Sequence, residues 1–316
     1  MRVFRSASEL PGDFGPAVVT IGNFDGVHVG HQGILRHLVA MGRERGLTPT
    51  VLTFDPHPAR VLAPERAPKL ITTIAQRLRR FEAEGIEAVL LLPFSHEFAK
   101  ATPEEFAADI LARIVRARLV MVGDDFRFGY KQAGNIETLR TLGKGLGFEL
   151  EPISAILCKG IRVSSTAIRG LVAAGKVTAA CRMMHTPFAL EGPVVQGYGI
   201  GTKQTVPTLN LAAENELLPG DGVYVTRTRD EASGQQWKSI TNVGKRPTFE
   251  GTERTVETFL LDPPPPAAPA RIEVSFLAFV RAERKFDSPV LLREQILRDV
   301  GAANRFHRRA ARLSVG

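Results

Sequence analysis

Cysteine is nearly absent from this sequence: Cys158 and Cys181 are the only two among 316 residues. Neither stands in a CxxC or zinc-ligand spacing, which argues against a disulfide-built fold and a cysteine metal centre and points to a reducing compartment. Long apolar runs are missing too. No stretch reaches the roughly 18 residues that a membrane span needs, and the opening segment MRVFRSASELPG lacks the apolar core of a secretory signal. A soluble, cytoplasmic protein is expected. Internal repeats are also lacking, so a solenoid is not expected. Acidic residues fall short of basic ones, 33 against 41, and the formal net charge of +8 suits polyanionic partners. The basic residues are scattered except at Arg305, Arg308, Arg309 and Arg312, whose spacing suits a solvated helix face. No arginine-rich arm or aromatic stacking stripe is present, so phosphorylated small molecules are expected as partners, not nucleic acid or membrane.

What is present has ordinary globular composition, 44% apolar and 23% charged, over a length that suits two domains. The first half alternates strand-like and helix-like segments. PAVVTIGNF, TPTVLTF, IEAVLLLPF, RLVMVGDDF and FELEPISAI read as strands. HQGILRHLVAMGRERG, TIAQRLRRFEAEG, TPEEFAADILARIV and NIETLRTLGKGLG read as helices. The third of these helices opens on Thr102 as cap and Pro103 at the first helical position. Such alternation predicts an α/β domain, a parallel sheet with helices on both faces, over residues 1–186. Its ligands are expected beyond the carboxyl ends of the strands, where GNFDGVHVGH, FDPHP and GDDFRFG fall. From residue 187 the segments become short, β-rich and separated by turn signals, predicting a small antiparallel barrel with a terminal helix after Pro289. PPPPAAPA, residues 263–270, cannot join a sheet interior and reads as a hairpin tip.

Gly26-Val27-His28-Val29-Gly30-His31 lies between a buried strand and a helix. Free N–H groups and the positive dipole end of a helix N-terminus bind phosphate there, and glycine lets the backbone approach. His28 and His31 share one side of the first turn. Both can donate to oxygens of a triphosphate as charge builds during attack on phosphorus. The plainer readings are a capping pair or part of a zinc site, but no third zinc ligand is nearby. Val163-Ser164-Ser165-Thr166-Ala167-Ile168-Arg169 starts another helix. Its hydroxyls and arginine make a second phosphate clamp or a plain N-cap with a surface arginine. In the second half, Gly197-Tyr198-Gly199-Ile200-Gly201-Thr202 lacks the following helix of a dinucleotide fold, but Gly199 and Gly201 suit a flap over phosphates. Thr208 and Asn210 of PTLN lie two residues apart on one face, offering hydroxyl and carboxamide oxygens to Mg²⁺ and phosphate.

GNFDGVHVGH, FDPHP, GDDFRFG and SSTAIRG, in this order and spacing, resemble the nucleotidyltransferase domain of the bacterial bifunctional riboflavin kinase/FAD synthetase family. GPVVQGYGIGTKQTVPTLNL, DGVYV, NVGKRPTF, TVETFLLD and VRAERKF resemble that family's riboflavin-kinase barrel. The resemblance implies two ATP-dependent reactions, riboflavin to FMN and FMN to FAD, with ATP, Mg²⁺ and flavins as ligands. It implies that His28 and His31 bind ATP phosphates and that Ser165, Thr166 and Arg169 close over the leaving pyrophosphate. Asn23, Phe54, Pro56, His57 and Pro58 would shape the nucleotide–flavin cleft. Asp125, Phe126, Arg127 and Phe128 would line its FMN side, although plain core packing also explains the phenylalanines. Thr208 and Asn210 would hold MgATP, and Glu257 would be the base that activates the ribityl 5′-hydroxyl.

The chain departs from the family pattern at Gly201-Thr202-Lys203-Gln204-Thr205-Val206, where the flap arginine and second glycine are missing and Lys203 can supply charge. PPPPAAPA also replaces an acidic, tyrosine-containing turn. Other nucleotidyltransferases share the HxGH and SSTxIR elements but leave the β-rich half unexplained. An HxGH-bearing aminoacyl-tRNA synthetase would need a KMSKS-like loop and an anticodon module, and neither is found. A flavin- or RNA-binding barrel without catalysis would have no need of both Asn210 and Glu257.

Overall fold

The computed structural model describes residues 1–154, 157–158, 161–195, 208–248, 251–263, 265 and 267–313. Two compact units emerge. The first comprises Met1–Lys69 and Ile74–Ser164, the second Leu70–Thr73 and Ser165–Gly316. The helices α6 (Ser165–Ala173) and α7 (Val177–Met184) therefore group with the second unit.

In the first unit, β1 (Arg2–Phe4), β2 (Ala17–Ile21), β3 (Thr48–Asp55), β4 (Ala88–Pro93), β5 (Ala117–Gly123) and β6 (Glu149–Ile153) form one sheet. Its order is β1-β4-β3-β2-β5-β6, and every pair is parallel. A parallel sheet is covered on both faces, so its central strands read as unbroken apolar runs. β2 obeys this, with all five residues buried. Its alternate side chains feed two separate apolar layers: Ala17, Val19 and Ile21 join Phe106, Leu111 and Leu139 on one face, and Val18 joins Leu35, Leu38 and Phe81 on the other. The second layer is supplied by α1 (Val29–Arg45) and α3 (Ile74–Ala83), and a short helix α2 (Pro58–Leu62) follows β3. Gly46 closes α1 in the left-handed conformation, φ 65°. The expected cap at Thr102 is a complete capping box: its Oγ1 accepts from Glu105 N–H at 3.1 Å and the Glu105 carboxylate accepts from Thr102 N–H at 2.8 Å. That helix, α4 (Pro103–Glu105), runs on as a π-helix over Phe106–Ile114, which the periodicity did not foretell. α5 (Ile136–Leu146) precedes β6. A small hairpin, β7 (Leu157–Cys158) and β8 (Ile161–Arg162), ends the unit.

The second unit is a closed antiparallel barrel of β9 (Phe188–Val195), β10 (Leu209–Leu211), β11 (Gly222–Asp230), β12 (Gln236–Thr248), β13 (Gly251–Leu260) and β14 (Arg271–Arg281). Its order is β10-β13-β12-β11-β14-β9, closing through β9–β10. Hydroxyls of Thr226, Thr228, Ser239, Thr241 and Thr258, all fully buried, bond to one another across β11, β12 and β13 at 2.8–2.9 Å inside the barrel. The outer face of these strands is covered by α8 (Pro289–Leu313), which packs Ala303, Val300 and Phe306 on Val223, Val225, Ile240 and Phe259. Arg281 of β14 anchors this helix, its Nε and Nη2 both donating to Oδ2 of buried Asp299 at 2.9 and 2.8 Å. Arg305, Arg308, Arg309 and Arg312 are exposed on it, as expected of a solvated face.

One expectation is corrected. The proline-rich connection before β14 is not a hairpin tip, because β13 pairs with β10 and β12, whereas β14 pairs with β9 and β11. Proline has no N–H for a ladder, and that property serves a strand-to-strand crossover as well as it serves a turn.

Candidate active sites

In the first unit the sheet reverses its winding beside β2, whose neighbours are β3 and β5. Ligands of such sheets bind outside the carboxyl ends at this switch point. Three of the expected segments emerge from these three adjacent strand ends: Gly22–His28 after β2, Pro56–Pro58 after β3 and Asp124–Phe128 after β5.

The β2 segment is tightly bent. Phe24, Gly26 and Val27 have φ of 49°, 82° and 38°, and a β-branched residue in that region is a true outlier. Arg77 and Arg80 of α3 hold the bend from behind, donating to Asn23 O at 2.9 Å and Gly26 O at 2.7 Å. Gln32 Nε2 donates to Val27 O at 2.8 Å. His28 follows as the N-cap of α1, its Nδ1 accepting from His31 N–H at 3.3 Å. The neutral ring must then carry its proton on Nε2, leaving that N–H as a donor. The His31 ring stacks on it, with centroids 3.6 Å apart and 13° between planes, and Phe24 meets His31 edge-on at 5.0 Å. Gly30 permits the stack, because a Cβ there would meet the His28 ring at 3.1 Å.

Burial, opposed in part by a backbone hydrogen bond and by Asp25, lowers the His28 pKa to about 4. Burial and then His28 itself push His31 well below its ordinary value. Both rings are therefore neutral donors at pH 7, so what they offer a phosphate is hydrogen bonding, not positive charge. His31 Nδ1 is buried without a hydrogen-bond partner among the described residues.

The flanking segments are tied together by aromatic rings. Phe54 meets Phe94 at 5.6 Å, and contacts of 5.7, 6.4 and 5.8 Å lead on through Phe98 and Phe106 to Phe128. Phe126 stacks on Phe128 at 5.5 Å and 14°. Phe128 is a core residue, whereas Phe54 and Phe126 are half-buried and keep surface to offer a planar ligand. Asp125, Arg127 and Pro56 are exposed and Asn23 is half-buried. His57 holds local backbone in place by capping α2. Its Nδ1 accepts from Ala59 N–H at 3.1 Å, with Pro58 at the first helical position.

Ser165 and Thr166 open α6 of the second unit, and Arg169 lies one helical turn on. Gly199 and Gly201, with the altered flap segment Thr202–Val206, lie outside the described residues. In the barrel, Asn210 of β10 and Glu257 of β13 are register partners, and Asn242 of β12 is the partner of Glu257 on its other side. Directly paired residues point to the same face. That face is the outer one, since Ile240 and Phe259, two positions along, pack under α8. Thr208, exposed, immediately precedes β10. Asn210, Glu257 and Asn242 are half-buried.

A family model for FAD synthetase matches residues 11–167, and one for riboflavin kinase matches residues 184–307. The chain is 34% identical over 306 residues to the bifunctional riboflavin kinase/FMN adenylyltransferase of Escherichia coli K12, covering 97% of each chain. It belongs to that bifunctional family. Its two activities are phosphorylation of riboflavin and adenylylation of FMN, with ATP and flavins as substrates. The enzyme of the same name from Pseudomonas fluorescens is 34% identical over 304 residues, covering 96% of this chain and 97% of its own. A Streptococcus pneumoniae crystal structure titled as a macrolide-efflux protein superposes with a TM-score of 0.85 at 28% identity, covering 96% and 98% of the two chains. No described helix of this family member is long and apolar enough to cross a membrane.

Sequence reasoning missed Arg77, Arg80, Gln32 and Asn242. The arginines sit in a helix whose exposed and buried positions are both basic, and Asn242 is one polar residue in an alternating strand, so neither carries a local signal.

Proposed function

We propose that residues 1–186, the parallel sheet with α6 and α7, carry FMN adenylylation and that residues 187–316, the barrel with α8, carry riboflavin phosphorylation. In the first reaction an FMN phosphate oxygen attacks the α-phosphorus of ATP and pyrophosphate leaves. His28 Nε2–H and His31 donate to the phosphoryl oxygens as charge develops, and Asn23 and Gly26 shape the backbone cradle. Phe54, Pro56, His57 and Pro58, with Asp125, Phe126, Arg127 and Phe128, border the flavin. Ser165, Thr166 and Arg169 keep the role that the resemblance implies, donors to the departing pyrophosphate.

In the second reaction Glu257 takes the proton of the ribityl 5′-hydroxyl, whose oxygen attacks the γ-phosphorus while ADP leaves. Asn242, beside it in the ladder, donates its carboxamide N–H to the carboxylate or to the substrate. Gly199 and Gly201 belong to the phosphate flap. Thr208 and Asn210 offer the neutral oxygens that suit Mg²⁺ bound with ATP. That ion would neutralise phosphate charge.

The observation that carries this assignment is the pairing of Asn210 with Glu257, far apart in sequence and adjacent in register. The low cysteine content and the demand for ATP favour a cytoplasmic setting, and the basic charge serves phosphorylated substrates. Incubation with riboflavin, ATP and Mg²⁺, followed chromatographically, should yield FMN and then FAD. FMN accumulating without FAD, or no turnover of riboflavin, would overturn the assignment of the corresponding unit.

A further inference from the structure

Arg77 and Arg80 stand one turn apart on α3, which shares a face of the sheet with α1, and both reach the bend. Arg77 is 2% exposed, and a cation is rarely buried so completely unless it is paired. Both spend an N–H on a carbonyl of the bend. A trans peptide points its C=O and its N–H in opposite directions. Fixing Asn23 O on Arg77 therefore turns Phe24 N–H away from α3, and fixing Val27 O on Gln32 of α1 turns His28 N–H away from that glutamine. Val27 N–H closes the turn on Phe24 O at 3.1 Å. Two of the residues so held, Phe24 and Val27, occupy a φ region that they would leave if released.

We infer that Arg77 and Arg80 are positioning residues for adenylyl transfer, setting the backbone from Asn23 to His28 so that its N–H groups and the His28 ring meet the phosphates in register. The inference rests on the adenylylation site proposed above. Neither arginine need touch substrate; they act through the carbonyls that they hold, with their positive charge behind a loop that faces polyanions.

Arg80, half-buried, is the residue to vary. Arg80→Met is expected to lower kcat for FMN adenylylation about 10²-fold, the cost typical of a displacement of about 1 Å at a positioned group. ATP binding, measured by calorimetry, should change little. Arg80→Lys, which keeps a charged donor, should recover part of the rate. Riboflavin phosphorylation in the same sample reports the amount of intact chain, and circular dichroism melting reports the fold. A full adenylylation rate in Arg80→Met overturns the inference. So does a loss in which rate, ATP binding and the melting transition disappear together, because that marks a merely structural anchor. His31→Ala, measured in parallel, separates the two levels. Undiminished FAD synthesis in that variant removes the site itself, whereas its loss beside a normal Arg80→Met removes only the positioning role.

Discussion

Acid should destabilise the parallel-sheet unit through His28. The side chain is 7% exposed, and burial, the largest influence on it, lowers its pKa from 6.5 to about 4. With the folded value depressed, the unfolded chain takes up the proton first. The stability contributed by the neutral ring is therefore complete above pH 6.5 and is lost as the pH falls from 6.5 towards 4. The full interval corresponds to about 3 kcal/mol, and about 2 kcal/mol of it falls between pH 7 and pH 5. At about 2–4 °C per kcal/mol for a unit of this size, the melting temperature should drop by about 4–8 °C on account of this ring alone. Scanning calorimetry of the wild type and His28→Gln at pH 7, 6 and 5 would measure it. Glutamine can accept the His31 N–H through Oε1 but does not titrate, so the wild type should lose its advantage over the variant as the pH falls. A difference between the two proteins that stays constant over this range would refute the reasoning.

Other outcomes follow from the two sites. His31→Ala should cut FAD formation from FMN and ATP by about 10²–10³, with riboflavin phosphorylation kept; chromatographic quantification of both products checks this. Glu257→Gln, which retains shape and removes the proposed base, should slow riboflavin phosphorylation by about 10²–10⁴ and still convert supplied FMN to FAD. Asn242→Leu should lower the kinase kcat by about 10- to 100-fold, the worth of one hydrogen bond to a charged group, while KM for ATP stays near the wild-type value. An unchanged kcat would leave Asn242 with no part in the reaction.

The parallel sheet was legible because its signals are local. VVTI is apolar on both faces of β2, Gly46 takes the left-handed cap that ends α1, and Thr102 with Glu105 closes a box at the expected helix start. The HxGH motif likewise placed two histidines on one turn. What it could not contain is their support. Arg77 and Arg80 reach the bend only because α3 packs beside it, and their helix looks equally basic on its buried and exposed sides. The pairing of Asn210 with Glu257 is a matter of register across strands distant in sequence, which spacing alone does not determine. The prolines before β14 announced a break between two strands correctly, but pairing partners decide between a turn and a crossover, and those belong to the whole barrel. The capping role of His57 was hidden for a related reason: a helix of five residues is too short to show periodicity.

The two candidate sites position their polar groups by opposite means. The barrel does it with regular structure. Register sets Asn210, Glu257 and Asn242 side by side on a ladder, and none of these three residues has a positive φ. The parallel-sheet unit does it with an irregular bend whose non-glycine residues Phe24 and Val27 cost about 1–3 kcal/mol each. Hydrogen bonds from charged donors contribute about 1.5–3 kcal/mol each, so those from Arg77 and Arg80 are of the size needed to offset that strain. The asymmetry has a consequence for variation. A ladder tolerates changes at neighbouring positions as long as the register survives. The bend depends on distant side chains, so the parallel-sheet unit should be the more sensitive to substitutions that lie well away from the bend in sequence, on the buried face of α3.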